Sequence, residues 1–420
     1  MTNHALAPIP AARYGERIDR AREAMARHGA AALLLGVGAD LVYLTGYAAI
    51  PLERLTMLVI GRRGIPSLVV PRLEAMAAAR WPAATSGRVT IVPWDETADP
   101  HALVARLLEA AGSAGAGSAR GQMLVSGDLW AMHVLALRTA LPGRAFGLAT
   151  TVLRELRMTK GPEEVDRLRL AALAADRVVA SIAAGRLVGR TEADVAREVR
   201  DRLVAEGHEV GKFSIVASGP NSASPHHDAS DRVIGAGDPI VLDIGGTLDG
   251  YGSDITRMLW VTGGDPAKGP TPEFLRIFDL VRAAHAAATA AVRPGVSCEA
   301  IDAVARGVIV AGGHGPEFLH RVGHGIGLEG HEEPYLVAGN SEPLREGYAF
   351  SIEPGVYVAG RHGVRIEDIV VCGADGPIVL NQAPRDLLVV AGCPRGAVGP
   401  TRRGGYHRAG TSRSRIAWTS

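Results

Sequence analysis

The stretch Val241-Leu242-Asp243-Ile244-Gly245-Gly246, followed by Tyr251-Gly252-Ser253-Asp254-Ile255-Thr256-Arg257, decides how the second half of this 420-residue chain folds. An apolar run leads into Asp243, glycines stand at 245, 246, 250 and 252, and a second apolar run extends from Ile255 to Val261. Apolar runs of this length favour strands and clustered glycines interrupt them, so the pattern predicts two antiparallel strands joined by a turn. Such a hairpin brings the carboxylates of Asp243 and Asp254 close together.

Three more segments of similar texture follow. His324 lies in Arg321-Val322-Gly323-His324-Gly325-Ile326-Gly327, where three glycines permit close backbone approach. Glu353 ends the run Phe350-Ser351-Ile352 and is followed by Pro354 and Gly355, a strand stopped at its acid. Glu367 stands in Gly363-Val364-Arg365-Ile366-Glu367, and the two-residue side-chain period of a strand puts Arg365 and Glu367 on one face. A guanidinium beside a buried carboxylate keeps it ionised, as a ligand must be. Any one of these residues alone reads as a turn former or a packed side chain. Four carboxylates and one imidazole, each framed by apolar residues or glycine, form a donor set suited to two hard or borderline divalent cations. The expected class is a metal-dependent hydrolase.

These segments resemble those of the pita-bread metallopeptidases of family M24, specifically the Xaa-Pro dipeptidases (prolidases) and aminopeptidases P, over roughly residues 12 to 390. The resemblance implies that Asp243 binds one metal ion, that His324 and Glu353 bind a second, and that Asp254 and Glu367 bridge them. It matches His226, in Ser224-Pro225-His226-His227, to a substrate-side histidine, with His227 left as the alternative of the pair. His320 and His331 match two further active-site histidines, and Arg365 the arginine preceding the last ligand. The implied cofactors are two divalent ions per chain, Mn first, with Co or Zn as alternatives. Implied substrates are small peptides with proline at the second position, and the implied assembly is a homodimer.

Elementary chemistry gives these residues work. A pair of cations about 3.5 to 4 Å apart can share a water and acidify it. Glu353 is the candidate to accept that water's proton and pass it to the leaving nitrogen, and His331 the candidate donor to the developing oxyanion. His208 and His314 read as ordinary loop residues.

Charge argues against a polyanionic partner, since 45 basic and 44 acidic residues leave a net +1; nucleic acid is not expected. Cys298, Cys372 and Cys393 show no paired metal spacing and read as free core thiols in a reducing compartment. Met1 to Arg13 has no basic start followed by an apolar core, and no stretch reaches about 18 uncharged apolar residues, so a cytoplasmic protein without membrane contact is expected.

Length alone argues for two domains. The expectation is an α/β first domain of the creatinase/prolidase type over residues 1–155, a catalytic pita-bread α+β domain with a curved antiparallel sheet over 156–393, and a basic tail over 394–420. In the first domain a helix carrying Ile18, Ala21 and Met25 closes at Gly29, and strand-like runs cover 31–35, 56–60 and 67–70. Leu41 to Tyr47 and Pro71 to Glu74 also resemble the family's first domain. The stretch from Ala110 to Gly121 reads as a Gly-rich loop. Pro162 with Glu163 and Glu164 opens a helix, because acids complement exposed N-terminal amides. Thr191 and Asp194 form a capping pattern before the stripe Val195, Val199, Leu203. Adding 106 aligns Gly189, Thr191, Val195, Gly207 and His208 with Gly295, Ser297, Ile301, Gly313 and His314, which predicts two equivalent α/β halves. The tail holds six arginines and no acid, a composition that cannot bury enough apolar surface to order itself.

Two other readings keep a place beside the peptidase. A metal-independent C–N hydrolase of the creatinase type shares the fold, but such relatives lack the ligand set. A non-catalytic binding scaffold is expected to have lost one of Glu353, His324 or His331, and all three are present.

Overall fold

A computed structural model of the chain describes residues 6–113 and 121–391. The early apolar runs form β1 (Ala32–Leu35), β2 (Met57–Gly61), β3 (Ser67–Pro71), β4 (Thr90–Trp94), β5 (Met123–Val125) and β6 (Phe146–Leu148), joined in one sheet of order β4-β3-β2-β1-β5-β6. Leu33 and Leu35 face one core with Ile18, Ala21 and Met25 of the helix Ala11–Arg27. Ala32 and Leu34 face another core, which holds Val104, Leu108 and Leu137 of the helices Pro100–Ala110 and Ala131–Ala140. With both faces covered, a strand has no reason to alternate with polar residues, hence the uninterrupted apolar runs.

The helix Thr150–Met158 carries the chain from one domain to the next: Val152, Leu153 and Leu156 pack into the first domain's core, and Met158 into the second's. Helix Pro162–Ala183 starts at the predicted proline, and Glu164 accepts a hydrogen bond from the Gly161 N–H at 3.0 Å. Charges fasten the two domains. Half-buried Arg157 reaches Asp40 at 2.9 Å, Glu329 at 2.6 Å and Glu332 at 2.5 Å, and the Lys160 ammonium pairs with the other Glu332 oxygen.

The second domain is built from β7 (Val210–Ser218), β8 (Asp238–Leu248), β9 (Tyr251–Val261), β10 (Gly323–Gly325), β11 (Glu332–Leu336), β12 (Ala349–Ile352), β13 (Gly355–Val358), β14 (His362–Arg365), β15 (Asp368–Cys372), β16 (Pro377–Val379) and β17 (Leu388–Val390). Its ladders run β17-β9-β8-β7, β11-β10-β12-β15-β16 and β13-β14, antiparallel except where β17 runs alongside β9. The predicted β8–β9 hairpin is present and turns at Asp249 and Gly250, with φ of 50° and 78°. Two successive positive φ values suit the right-handed twist of the flanking strands.

The internal repeat is visible in hydrogen bonds. Helices Glu192–Ala205 and Cys298–Ala311 are each 14 residues long, capped by Thr191 and Ser297. In the first half Gly189 N–H donates to Ile234 O at 3.0 Å and Ile234 N–H to Arg190 O at 2.9 Å. In the second, Gly295 N–H donates to Leu344 O at 2.9 Å and Leu344 N–H to Val296 O at 2.8 Å. The capping residues even share a lone bridge, Thr191 to Val233 and Ser297 to Pro343.

One expectation needs correcting. His208 follows a helix but is buried, with Nδ1 3.1 Å from Leu203 O and Nε2 2.8 Å from the Ser253 hydroxyl behind Asp254. Two polar partners at the right distance make burial of the ring affordable. Cys298 and Cys372 are free and buried. Cys393, the 394–420 tail and most of the glycine-rich stretch before Gly121 lie outside the described residues. Among those residues no helix is long and apolar enough to cross a membrane.

Candidate metal centre

Asp243 sits opposite Thr256, and Asp254 opposite Gly245, so all four positions share one face of the hairpin. The missing side chain at 245 is required: a Cβ there would lie 2.2 Å from Ser253 O and 2.4 Å from the Phe213 ring. His324 projects from a three-residue strand whose flanking glycines are equally constrained. A Cβ on Gly323 would meet Ser351 O at 1.9 Å, and one on Gly325 would meet Glu333 O at 2.2 Å. Glu353 stands just past β12, where Pro354 ends the ladder, and its N–H donates to Val322 O at 2.8 Å. Glu367 lies between β14 and β15.

All nine predicted site residues, Asp243, Asp254, His324, Glu353, Glu367, His226, His320, His331 and Arg365, line one cavity of about 780 Å³. Donor atoms of Asp243, Asp254 and Glu367 fall within 4.8 Å of one another, as do those of His324, Glu353 and Glu367, so Glu367 is common to two triads. Asp254, His324 and His331 make a third such group. His324 Nδ1 lies 3.1 Å from Gly325 O, which claims its proton and leaves Nε2, 3.3 Å from a Glu353 oxygen, with a lone pair to offer a cation.

Four carboxylates share this buried space, and the guanidinium paired with one of them is that of Arg365. Burial, then Asp243 and Glu353, pushes Asp254 well above the usual carboxylate range. Burial, then Asp254 and Glu353, does the same to Glu367. Burial lifts Glu353 to about 7, with Arg365 opposing and Asp243 assisting. His324 goes the other way, to about 3, through burial and the adjacent His331. Buried Asp243 Oδ1 has no hydrogen-bond partner. Excess negative charge, an orphaned carboxylate oxygen and a neutral imidazole with an outward lone pair together fit a pair of divalent cations.

The supporting shell was less legible. Every nitrogen of Arg365 is engaged: Nη2 with Asp243 Oδ2 at 2.5 Å, Nε with the Thr256 hydroxyl at 3.0 Å, and Nη1 with the Tyr357 hydroxyl at 2.7 Å and Pro225 O at 3.2 Å. Thr256 in turn donates to Glu367 at 2.8 Å. Tyr357 lies 2.9 Å from His320 Nε2, and His320 Nδ1 lies 2.7 Å from Arg321 O. Both His320 nitrogens are therefore occupied, and burial holds its pKa near 4.

Glu192 carried no signal beyond its place beside a capping threonine. Its carboxylate accepts from six donor groups: Ser218 N–H and hydroxyl, Asn221 Nδ2, His227 Nε2, and Ser230 N–H and hydroxyl. Burial alone would raise its pKa, but the Ser230, Ser218 and His227 donors bring it to about 2. His227 is thereby tied to Glu192, and it lines the cavity beside His226. Asp368, adjacent to Glu367, points behind the sheet to Arg257 at 2.7 Å, to His285 at 3.1 Å and to Arg385. Arg257 also donates to Glu367 O at 2.7 Å.

Residues 166–374 match the model of metallopeptidase family M24, and residues 17–159 match the creatinase/prolidase N-terminal domain. The probable dipeptidase PepE of Mycobacterium tuberculosis is 45% identical over 378 residues, 90% of this chain and 96% of that protein. The chain belongs to metallopeptidase family M24. The Xaa-Pro dipeptidase of Lactobacillus helveticus is 32% identical over 354 residues, 83% of this chain and 92% of its own. Among solved structures, dipeptidase PepE from Mycobacterium ulcerans superposes with a TM-score of 0.83 at 44% identity, covering 91% of this chain and 100% of that one. The prolidase from Thermococcus sibiricus gives 0.81 at 31% identity, covering 90% and 99%. As an M24 member of two domains, the chain is a peptidase with candidate groups for divalent metal ions.

Proposed function

We propose that the chain is a dinuclear dipeptidase that hydrolyses the bond preceding proline in dipeptides or short peptides. The observation that carries this reading is the pair of donor triads meeting at Glu367. Asp243 would hold one ion, His324 and Glu353 the other, with Asp254 and Glu367 between them. When bound, two such ions acidify a water and polarise the scissile carbonyl. Glu353, at the cavity edge with its other contact to the Ser351 hydroxyl at 3.2 Å, accepts the water's proton and returns it to the leaving nitrogen. His331 lies against His324, ring centroids 3.9 Å apart, and donates to the carbonyl oxygen as charge develops there. His226 orients the peptide. Arg365 and His320 act through their partners, fixing Asp243, Thr256 and Tyr357. Phe213, Ile215 and Val337 give the cavity an apolar wall suited to a pyrrolidine ring.

Mn is the proposed metal, with Co or Zn as alternatives, because a carboxylate-rich site with one imidazole accepts all three. A homodimer in the cytoplasm completes the reading, supported by the family resemblance and by the two unpaired buried thiols. Ala-Pro and Ala-Pro-Ala given to the Mn-loaded protein test it: release of free alanine from the first alone supports the dipeptidase, attack on the second makes the chain an aminopeptidase, and inertness toward both removes the proline reading.

A further inference from the structure

His320 and Glu353 both hang on a short stretch of irregular backbone. Residues 318–322 lie between the 3-10 turn Gly315–Glu317 and β10 and belong to no helix or strand. Backbone outside regular structure still needs partners for its N–H and C=O groups. Two side chains of the helix Cys298–Ala311 supply them. The Arg306 guanidinium grips both oxygens of buried Asp302, Nε at 2.8 Å and Nη2 at 3.0 Å, a bidentate pair that fixes its plane. From that plane Nη1 donates to Phe318 O at 3.2 Å and Nη2 to His320 O at 2.8 Å, with Cζ 4.1 Å from the centroid of the Phe318 ring. Asp302 Oδ1 also accepts the Val322 N–H at 3.0 Å. Alternate residues of the stretch, 318, 320 and 322, are thus each tied to one ion pair, and neither partner in that pair is on the cavity wall.

What the stretch carries is the outer part of the proposed catalytic groups. His320 Nδ1 donates to Arg321 O at 2.7 Å, which leaves Nε2 to accept from the Tyr357 hydroxyl at 2.9 Å. The Tyr357 oxygen accepts from Arg365 Nη1 at 2.7 Å, and Arg365 holds Asp243. Val322 O accepts the N–H of Glu353 at 2.8 Å. The internal repeat singles out the same arginine. Adding 106 to 200 gives 306 and to 214 gives 320, and in the first half Arg200 donates to the Ser214 hydroxyl at 2.6 Å. Each helix of the pair sends its arginine to the matching position, and in the second half it lands on the backbone of a site histidine.

We infer that Asp302 and Arg306 are a positioning pair for the reaction: Arg306 fixes the backbone of His320, and through His320 and Tyr357 the aim of Arg365 on Asp243, while Asp302 fixes Val322 and with it Glu353. This rests on the peptidase reading above and adds to it two residues that act from behind the cavity wall. The groups they aim serve the reacting centre, so the effect falls on kcat and leaves KM little changed.

The decisive variant is Arg306→Lys. An ammonium keeps the charge that buried Asp302 needs, so the fold should survive by circular dichroism, but it lacks the fork that spans two carbonyls. In the metal-loaded full-length enzyme acting on Ala-Pro, Arg306→Lys should lose roughly 10- to 100-fold in kcat with KM within about threefold of wild type. Tyr357→Phe should also lower kcat, and the double variant should fall no further than the worse single, because the two residues act in one chain of contacts. Wild-type kcat in a folded Arg306→Lys or in Tyr357→Phe, or losses that multiply, would overturn the assignment. The His320 Nδ1–H resonance reads the contact without turnover, in Zn-loaded protein with isotope-labelled histidine, and is identified by its absence from His320→Gln. It should move in Arg306→Lys, and an unmoved resonance sinks the proposal. If wild type leaves Ala-Pro intact the proline reading fails alone, and this resonance still decides Arg306. Should Arg306→Lys not fold, the joint replacement Asp302→Leu with Arg306→Met, which leaves no buried charge unpaired, faces the same measurements.

Discussion

The two halves of the second domain are built on one frame and deliver their candidate metal ligands differently. In the first half β8 and β9 are unbroken strands of 11 residues each, and Asp243 and Asp254 come from their middles. In the second half the corresponding course is interrupted: β12 gives way to β13 at Glu353, and β14 to β15 at Glu367. A continuous strand aims a side chain by pleat alternation alone, so its ligands are placed by the whole ladder. An interrupted strand aims it by the local turn, which frees the acid to leave the sheet plane. Carboxylates from both kinds of support meet at Glu367. The frame also tolerates different chemistry at one position. Adding 106 to 192 gives 298, and where the first half buries the hydrogen-bonded Glu192, the second buries the thiol of Cys298.

Removing metal should erase the difference between the halves altogether. Chelation is expected to abolish peptidase activity and Mn(II) or Co(II) to restore it; full turnover in a metal-free preparation would end the dinuclear proposal. Glu353→Gln separates a ligand that also moves protons from one that only binds. Turnover should fall by at least about 10²-fold with the fold intact by circular dichroism, and a change of only a few fold would remove the general-base role. His331→Ala should lose kcat by roughly 10²-fold with metal content near wild type, whereas His324→Ala should lower metal content itself. Equal metal loss in both variants makes His331 a ligand, as its place in a donor group with Asp254 and His324 allows.

Glu192→Gln probes the half-specific hub. All six contacting groups donate to Glu192, so the new amide N–H group turns at least one of those contacts from attraction to conflict. Stability should drop by about 1 to 3 kcal/mol. Because the folded-state pKa is depressed from 4.5 to about 2, this contribution is present above pH 4.5 and is lost as pH falls toward 2. Urea midpoints taken across that range should converge between wild type and variant at the acid end; a constant gap would show that Glu192 acts through packing alone. The smallest effect tests what the halves share. Thr191→Ala and Ser297→Ala each remove a hydroxyl that accepts one N–H, at 3.1 and 3.3 Å, and each should cost about 1 kcal/mol in thermal unfolding. A large inequality would mean that the two frames do not support the domain alike.

These contrasts also explain what could be read in the chain beforehand. The five candidate ligands stood out because each sits in a short word of apolar residues and glycine, several of whose glycines are held by contacts no side chain can share, whereas His226, His320 and His331 stood out only through the family resemblance. The β8–β9 hairpin and the paired capping helices were legible for the same local reason. Glu192 was hidden because a first-turn glutamate next to a capping threonine already has an ordinary explanation, and its six donors converge from residues 218 to 230. Asp368 was hidden by its neighbour, and buried His208 because its partner Ser253 is 45 positions away. Whether a polar group is buried is a property of the assembled fold, and no periodicity reports it.

Glu367 and Asp368 stand side by side and serve opposite faces, one toward the metal donors and one toward Arg257, His285 and Arg385. Sliding the chain by one residue at this point would present the wrong acid to each side and leave a guanidinium and a carboxylate cluster both mismatched. The pair therefore works as a phase marker. The link from Arg365 to Asp368 accordingly has a fixed length: a single-residue insertion or deletion within it should abolish function, whereas one in the β13–β14 turn at 359–361 leaves the order of the two acids on their strands unchanged and should be the milder change.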